Sequence, residues 1–389
     1  MLQRRTWLGL ALGLTLGPWP GESAHAAAVP DALAALVPPP YQAQALTPEE
    51  TPHFTRRKPY REGDHLVWEY RLVVTETTHP LADSTPYKVY AYGNRVPAPQ
   101  LYARDGDRVR IRLVNETTVP HTIHSHGLYT PQRMDGATHV HLGPDGEMHQ
   151  HDPAGAPLPV APGEEFTYDY IARPSGSHFY HCHVSANEHM ARGMIGTFVV
   201  FPKLPEPPAD FDSVLLLQEW NSKYAKQGKP GDPREVGDAD FFTFNGLSFP
   251  NTPLMQVKQG ARVRIRFVNA GAQPHFMHLH GHTFLVTHKD GFPLREPMLM
   301  DTVAVGPAER VDIFFIANNP GDWPLHCHSP PHTTNAGVYP GGMMAHLIVG
   351  PDRYPKSGEG PLGPGIEAAT DAWRDYARRY YASLAKAAR

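Results

Sequence analysis

The sequence predicts an all-β protein made of two Greek-key β-sandwich domains, with a short helix at the C-terminus. Three observations carry this prediction: a high content of turn-forming residues, short segments in which apolar and polar residues alternate, and an internal repeat. The 389 residues include 42 Pro and 34 Gly, and a chain of this length can bury two separate cores. The net charge of −4 gives no basic footprint that would indicate a nucleic-acid partner.

Alternating segments predict the strands of each domain. Residues 108–114 alternate strictly, with Val109, Ile111 and Leu113 facing a core and arginines facing water. The segment 262–269 copies this pattern and ends, like the first, on an Asn. A repeat of several motifs at this distance predicts one β domain of about 150 residues written twice.

The repeat divides the chain into segments. We place the first domain at residues 61–201 and the second at residues 212–350, joined by a linker that contains four prolines. Residues 27–60 are rich in proline and predict an arm ahead of the first domain. Residues 364–389 carry apolar side chains at helical spacing, which predicts a C-terminal helix docked on its own subunit or on a neighbour.

The N-terminus predicts export. Residues 1–26 form a signal peptide in which Arg4 and Arg5 precede a short apolar run and small residues follow at a cleavage site. The apolar run is too short to span a bilayer as a retained helix. The adjacent arginines favour twin-arginine export over an ordinary secretory signal. The sequence therefore predicts a periplasmic or secreted protein without a membrane span.

The two cysteines of the chain, Cys182 and Cys327, each stand between two histidines. On an extended segment the sulfur and the two imidazoles point to opposite faces. One metal can therefore take the sulfur while other metals take the imidazoles, with one residue of backbone between them. A disulfide would leave the flanking histidines unexplained, so we interpret both cysteines as thiolate metal ligands even though an exported protein permits a bridge.

Four His-x-His pairs, two in each repeat, indicate a metal cluster. On a strand, residues i and i+2 point the same way, so each pair can straddle two metals. Eight imidazoles suffice for three copper ions with positions left open for dioxygen. The pairs are His124/His126, His181/His183, His278/His280 and His326/His328.

A second set of ligands in each repeat combines one cysteine, two histidines and one methionine. A thiolate, two imidazoles and a weak thioether select copper in a trigonal electron-transfer geometry. The first repeat supplies His121, Cys182, His189 and Met194, and the second supplies His275, Cys327, His332 and Met343, with Met344 as the rival of Met343.

With these motifs the chain resembles the multicopper oxidases, and among them the two-domain laccase-like type. The resemblance covers residues 60–350 and implies two cupredoxin-like domains. It implies type 2 copper on His124 and His278, and a binuclear type 3 pair on His126, His181, His183, His280, His326 and His328.

The resemblance also implies an activity and an assembly. Members of the family reduce dioxygen to water with four electrons, which reach the cluster one at a time from type 1 copper. The donor is then a small reducing substrate such as a phenol, an aromatic amine or a metal ion. The two-domain members form a ring of three subunits, which implies a homotrimer with each trinuclear cluster between two chains.

Two spacings depart from the family. Five residues separate His183 from His189, where the family usually has three, and ten separate His332 from Met343, where it usually has four. Ligand loops of this fold vary in length, so we keep both type 1 sites. A protein with copper in only one of the two sites is the alternative.

Two further segments could contribute to function. Asp135 stands before a glycine, shortly after the first His-x-His pair. In relatives an Asp at this place lies beside the cluster and helps to deliver protons, which implies a catalytic role; the alternative is a turn residue. The segment 139–151 holds four His and one Met and is either a copper-collecting loop or merely a polar loop.

Two other functions compete with the oxidase. A copper nitrite reductase is also a trimer of two-domain chains, but it needs one type 1 and one type 2 copper and not four His-x-His pairs. A non-enzymatic copper carrier or electron-transfer protein needs no dioxygen site. The full set of eight imidazoles favours the oxidase over both.

Overall fold

The computed structural model describes residues 52–82, 86–137, 140–142, 148–150, 159–222, 238–350 and 365–387. Most of the regular structure in these ranges is β-strand, and the predicted all-β class is confirmed. The strands are β1 (Phe54–Arg56), β2 (Tyr60–Glu62), β3 (His65–Pro80), β4 (Pro86–Tyr92), β5 (Ala98–Arg104), β6 (Arg108–Asn115), β7 (His124–His126), β8 (Val140–Leu142), β9 (Met148–Gln150), β10 (Glu165–Ile171), β11 (Gly176–His181), β12 (Ile195–Phe201), β13 (Phe211–Trp220), β14 (Phe241–Phe244), β15 (Leu254–Lys258), β16 (Ala261–Asn269), β17 (His275–Leu279), β18 (Phe284–Lys289), β19 (Phe292–Met300), β20 (Thr302–Val305), β21 (Arg310–Ala317), β22 (Gly321–Cys327) and β23 (Met344–Gly350).

The first sandwich consists of a six-stranded sheet and a four-stranded sheet. In the larger sheet β6 lies between β3, which is parallel to it, and β10, which is antiparallel, while β1, β2 and β4 pair with β3. The order of the smaller sheet is β5-β12-β11-β7. The alternation in β6 has the predicted effect: Val109, Ile111 and Leu113 are fully buried, while Arg110 pairs with Asp169 on the outer face.

The second sandwich repeats this architecture. Its larger sheet has the order β14-β13-β16-β21-β18-β19, and its smaller sheet has the order β15-β23-β22-β17-β20. Strand β13 runs parallel to β16, as β3 runs parallel to β6. In both smaller sheets the two strands that carry the His-x-His and His-Cys-His motifs are hydrogen-bonded neighbours. The repeat in the sequence is therefore a repeat of topology that brings the two motifs together.

The predicted domain boundaries stay a prediction. Strand β1 lies inside the predicted arm, yet it pairs with β3 as part of the first sheet. Strand β13 begins at Phe211, next to the predicted start of the second domain. The export signal and the arm up to residue 51 lie outside the described residues.

Among the residues that the structure describes, two α-helices accompany the sheets: α1 (Ala186–Ala191) and α2 (Ile366–Ala387). The second is the predicted C-terminal helix. It lies on the larger sheet of the second sandwich, where Trp373, Tyr376 and Tyr380 are buried against side chains of that sheet such as Leu285 and Phe314. Among the described residues, no helix is both long and apolar enough to cross a membrane.

Candidate metal centres

The first candidate centre surrounds Cys182, which directly follows β11. His121 approaches from the chain ahead of β7, where its backbone exchanges two hydrogen bonds with Val160, and His189 comes from α1. The Nδ1 atoms of His121 and His189 lie 3.7 and 3.2 Å from the Sγ of Cys182. All three ligand side chains are buried, so the centre is shielded from bulk water.

Backbone hydrogen bonds place Met194 beside the same centre. Its N–H donates to the carbonyl of His189 (3.1 Å), and its own carbonyl accepts from the N–H of Cys182 (3.4 Å). The Sγ of Cys182 also accepts a hydrogen bond from the N–H of Thr122 (3.4 Å). The structure thus brings the four predicted residues together, and this donor set is one that suits copper in electron transfer.

Burial makes the imidazoles of the first centre weak bases. It lowers the pKa of His121 to about 3 and the pKa of His189 to about 4, and nearby charges add to both effects. Burial also raises the pKa of the Cys182 thiol. Neutral imidazoles are the form that binds a metal, and a bound metal removes the thiol proton.

The second candidate centre repeats the arrangement around Cys327 at the end of β22. The Nδ1 atoms of His275, on β17, and His332, in a 3-10 turn, lie 3.8 and 3.4 Å from its Sγ. The N–H of Met343 donates to the His332 carbonyl (2.8 Å), and its carbonyl accepts from the Cys327 N–H (3.0 Å). Met343 therefore has the backbone position that Met194 has in the first centre.

The long spacing between His332 and Met343 is an excursion of the loop. The N–H and carbonyl of Asn335 close a turn with Val338, and the side chain of Asn335 accepts from the N–H of Gly342 (2.8 Å). The chain therefore leaves and returns without displacing Met343. The rival, Met344, is the first residue of β23.

Hydrogen bonds change the protonation of the second centre. Burial raises the pKa of Cys327, but hydrogen bonds with His275 and His332 outweigh it and lower the pKa to about 6. For His275, burial lowers the pKa, but interactions with Cys327 and Glu219 outweigh burial and raise the pKa to about 9. On the far side of the centre, the Nε2 of His332 is 3.0 Å from the side-chain oxygen of Gln273.

The histidine three residues before each His-x-His pair contacts a different side chain through its Nε2 atom. The Nε2 of His121 is 2.8 Å from the hydroxyl of Thr117. The Nε2 of His275 is 3.1 Å from a carboxylate oxygen of Glu219. Such partners fix the orientation of a ligand ring and tune its basicity. Sequence reasoning missed both partners, although Thr117 lies only four residues from its histidine.

Four imidazoles of the first sandwich form one group on β7 and the end of β11. The pairing of these strands sets His124 opposite His181. The ring of His124 lies 5.1 Å from that of His181, 5.4 Å from that of His183 and 5.6 Å from that of His126. The Nδ1 of His124 is 2.8 Å from the carbonyl oxygen of Asp135, which leaves its Nε2 for a metal.

The second sandwich builds the same group on β17 and β22. His278 is opposite His326, and its ring lies 4.9 Å from His280, 5.7 Å from His326 and 5.6 Å from His328. The Nε2 atoms of His280 and His326 are 3.0 Å apart, so the two nitrogens face a common region. The Nδ1 of His278 is 2.8 Å from the carbonyl oxygen of Asp301.

The two groups of imidazoles do not meet within the part of the chain that the structure describes. The ring contacts given above for His124 and His278 all join members of the same group. His280 and His328 of the second group are exposed, whereas His181 of the first group is buried. One chain therefore carries two separate groups of four imidazoles.

Asp135 lies beside the first group. Its carboxylate is 3.4 Å from the Nδ1 of His124 and accepts a hydrogen bond from the hydroxyl of Thr130 (3.3 Å). The interaction with His124 lowers the pKa of Asp135. Gly136 follows with positive φ, and a Cβ there would lie 2.0 Å from the carbonyl oxygen of Ile123. The glycine therefore permits the close approach of this turn to the ligand strand.

The histidine-rich segment 139–151 is described only in part. Strands β8 and β9 form a two-stranded sheet in which His141 pairs with His149. His139 and His151 lie outside the described residues. Both interpretations of this segment, a copper-collecting loop and a polar loop, therefore stay predictions from the sequence.

A β-sandwich that occurs twice, each copy with a buried Cys-His-His centre and four imidazoles, defines a copper protein of the cupredoxin class. The sequence profiles described as "Multicopper oxidase" match residues 73–205 and 225–353. The blue copper oxidase from Nitrosomonas europaea is 37% identical, with 72% of this chain and 85% of that chain covered and a TM-score of 0.65. The chain belongs to the multicopper oxidase family.

Two further similarities bear on the activity. Laccase-6 from Oryza sativa subsp. japonica is 29% identical over 257 residues, which cover 60% of this chain and 40% of that protein. A copper nitrite reductase from Nitrosomonas europaea is 25% identical, with 76% of this chain and 97% of that chain covered and a TM-score of 0.55. The chain spans between 35% and 53% of the length of the curated relatives it matches. The predicted family and fold are confirmed, as is copper of types 1, 2 and 3 as the cofactor that this family implies.

Proposed function

We propose that the protein is a laccase-like multicopper oxidase. It couples one-electron oxidation of a small donor at type 1 copper to four-electron reduction of dioxygen to water at a trinuclear copper cluster. The donor is a phenol, an aromatic amine or a metal ion. The observation that carries this proposal is that each buried Cys centre shares its backbone with a group of four imidazoles.

The described residues fit this cofactor. The type 1 ligands would be His121, Cys182, His189 and Met194 in one sandwich and His275, Cys327, His332 and Met343 in the other. His124 and His278 would hold type 2 copper, and His126, His181, His183, His280, His326 and His328 would hold the type 3 pair. When bound, copper accepts single electrons from the donor and passes them to dioxygen.

The backbone connects the two kinds of site over one residue. Cys182 directs its sulfur at His121 and His189, while His181 and His183 on either side of it direct their rings at the imidazole group. An electron on the sulfur therefore has a covalent path of a few bonds to the cluster ligands. Cys327 offers the same path in the second sandwich.

We also propose that the oxidase is a homotrimer arranged head to tail. The proposed cluster needs both groups of four imidazoles, each of which would be one half-site. One chain carries the two groups on different sandwiches, so the second group of one subunit would meet the first group of the next in a closed ring. Exposed apolar side chains stand close in sequence to both groups: Tyr129 follows His126 by three residues, and Phe276 shares β17 with His278. Met298 and Leu299 precede Asp301, whose carbonyl oxygen contacts His278. Exposed apolar side chains grouped in this way are typical of protein interfaces.

A copper nitrite reductase is the alternative function, and the likeness to the Nitrosomonas europaea nitrite reductase favours it. That reaction needs one type 1 and one type 2 copper. It does not need four His-x-His pairs, and a non-enzymatic copper carrier needs no dioxygen site. The two complete half-sites therefore support the oxidase.

Oxygen consumption with a panel of donors tests the proposed function. We expect the copper-loaded protein to be blue, to bind five coppers per chain, and to consume dioxygen with at least one phenol, aromatic amine or metal ion. Nitrite with a reductant is run in parallel under nitrogen. Two coppers per chain, no type 3 pair and nitrite consumption without oxygen uptake would replace the oxidase with the reductase.

Sedimentation of paired variants tests the assembly. Met298 and Leu384 are equally exposed, at 45%, but Met298 stands three residues before Asp301, whose carbonyl oxygen contacts His278, whereas Leu384 lies on α2. Met298→Asp is expected to shift the protein towards monomers with loss of cluster copper, whereas Leu384→Asp is expected to leave the trimer intact. A wild-type monomer that consumes dioxygen contradicts the shared cluster.

We propose periplasmic or secreted location by twin-arginine export. The adjacent Arg4 and Arg5 carry this proposal. Replacing both with Lys keeps the positive charge that an ordinary secretory signal needs. The Lys variant is therefore expected to remain in the cytoplasm, and its normal appearance outside would indicate the ordinary route.

A further inference from the structure

We propose that the carboxylate of Glu219 holds the reduction potential of the copper at Cys327 below that of the copper at Cys182. The chain would then present two unequal electron acceptors to its donors. The inference rests on the proposed function, since it assumes a type 1 copper in each sandwich.

Glu219 lies behind the second centre, at the end of β13. One carboxylate oxygen is 3.1 Å from the Nε2 of His275, whose Nδ1 faces the sulfur of Cys327. The same carboxylate accepts hydrogen bonds from the backbone N–H groups of Ala272 (3.0 Å) and Gln273 (2.7 Å). The side chain is buried. Two backbone N–H donors thus hold a carboxylate that lies against a proposed copper ligand.

The first sandwich has a glutamate at the same place in its topology, but it points elsewhere. In the parallel strand pairs, Val74 is level with Asn115 and Leu217 is level with Asn269. Two residues further along β3 and β13 come Glu76 and Glu219. Glu76 is exposed and accepts a hydrogen bond from the hydroxyl of Thr118 (3.1 Å). Its carboxylate therefore binds at the surface and not behind the histidine of the metal centre.

A single side chain decides between the two arrangements. In the first sandwich, Thr117 donates its N–H to the side-chain oxygen of Asn115 (2.9 Å), and its hydroxyl bonds the Nε2 of His121. In the second, Gly271 donates its N–H to the side chain of Asn269 over the same distance.

Gly271 therefore occupies the position in the second sandwich that Thr117 occupies in the first. A Cβ on Gly271 would lie 1.8 Å from a carboxylate oxygen of Glu219 and 2.4 Å from the carboxylate carbon. The space that a threonine side chain fills in the first sandwich is occupied by the glutamate carboxylate in the second. A neutral hydroxyl behind one histidine corresponds to a carboxylate behind the other.

This exchange has a predictable electrostatic sign. A carboxylate next to the outer ring nitrogen of a ligand imidazole makes that imidazole a stronger electron donor. A buried negative charge also stabilises the more positive state of a nearby ion, and it does so more strongly than at the surface. Both effects favour Cu(II) over Cu(I) at the Cys327 centre. Weak reductants should then reduce mainly the Cys182 centre, and stronger ones both.

Redox titration of variants with one cysteine centre tests the inference. Cys182→Ser leaves the Cys327 centre as the source of the blue absorption, and Cys327→Ser leaves the other. We expect a lower potential in the Cys182→Ser protein. Adding Glu219→Gln to it should raise the potential by at least a tenfold change in the Cu(II)/Cu(I) equilibrium, which is about 59 mV for one electron.

Matched variants distinguish an effect of the Glu219 charge on the reduction potential from a general loss of structure. Glu76→Gln removes the corresponding carboxylate of the first sandwich and should shift neither potential. Glu219→Gln in the Cys327→Ser protein should also give no shift. Should Glu219→Gln fold poorly, Glu219→Asp keeps the charge but withdraws it from His275, and is expected to give a smaller rise.

Three results would overturn the inference. They are equal potentials in the two single-cysteine proteins, a higher potential at the Cys327 centre, and a potential that Glu219→Gln leaves unchanged or lowers. A Cys182→Ser protein without any blue centre would also overturn it, because no copper would be there to tune. Oxygen uptake by the Cys327→Ser protein would still support the oxidase in that case, so the two failures can be told apart.

Discussion

Replacing Arg266 with Leu tests what holds the two sandwiches together. Arg266, on β16, donates two hydrogen bonds to Asp212 (2.9 Å each) and one to Asp312 (3.0 Å). A further hydrogen bond crosses to the hydroxyl of Ser177 on β11 of the first sandwich (3.1 Å), and that hydroxyl donates to Asp312 (2.7 Å). All four side chains are buried.

The magnitude follows from this burial. Removing one partner from a buried ion pair leaves the other without its countercharge and costs about 3–5 kcal/mol. Arg262, on the same strand, provides the control, because its pair with Asp210 leaves 42% and 47% of the two side chains exposed. Exposed pairs contribute about 0–1 kcal/mol, so Arg262→Leu should be nearly neutral.

Urea unfolding of both variants at one protein concentration measures the difference in the free energy of unfolding. Arg266→Leu should lower the midpoint clearly, with Arg262→Leu close to the wild type, provided that the slopes agree. The reasoning is refuted if the two variants lose equal stability, or if Arg266→Leu costs less than about 1 kcal/mol, the value for an exposed pair.

Three other predictions concern the copper sites and the linker. Cys182→Ser should remove one blue centre and most of the turnover, and Cys327→Ser should cost less; oxygen uptake in the reverse order contradicts this. Asp135→Asn should lower oxygen turnover about 10–100-fold and alter its pH profile, yet retain copper, because the backbone carbonyl still orients His124; copper analysis checks this. Burial raises the pKa of Glu206, but charges such as the neighbouring arginines lower it far below its ordinary 4.5. Its stabilising effect is therefore present above that value and is lost as the pH falls through the lower folded pKa, so the loss of stability in Glu206→Gln should be large at neutral pH and shrink in acid, as urea unfolding at several pH values can show.

The grouping of the proposed copper ligands could be predicted from the sequence because it depends on local rules. Strict alternation in β6 and β16 sets which side chains face the core. Residues i and i+2 on a strand share a face, so His124 and His126 had to point together, and the neighbouring cysteine strand had to bring His181 next to them. A repeated motif also indicates repeated topology, which is why one prediction covered both sandwiches.

Features that depend on contacts between distant segments could not be predicted. The contact between Arg266 and Ser177 joins residues of different domains, and no periodicity in either strand indicates it. Strand β1 was predicted as part of an arm, because a short segment between prolines carries too few residues to show alternation. The spacing of His332 and Met343 departs from the family. Only the turn around Asn335 shows that the extra residues do not displace Met343, because this turn returns the chain to the same backbone hydrogen bonds.

The partner of His275 shows where sequence reasoning ends in physical terms. Glu219 and its histidine are brought together by the parallel register of β13 on β16, which an alternating pattern fixes only up to shifts of two residues. Whether the carboxylate then turns inward depends on the absent side chain of Gly271. Glu76 occupies the same register in the first sandwich and turns outward to the hydroxyl of Thr118. Two centres with the same ligand types therefore differ in charge because of one missing β-carbon, and a comparison of ligand motifs alone would treat them as equal.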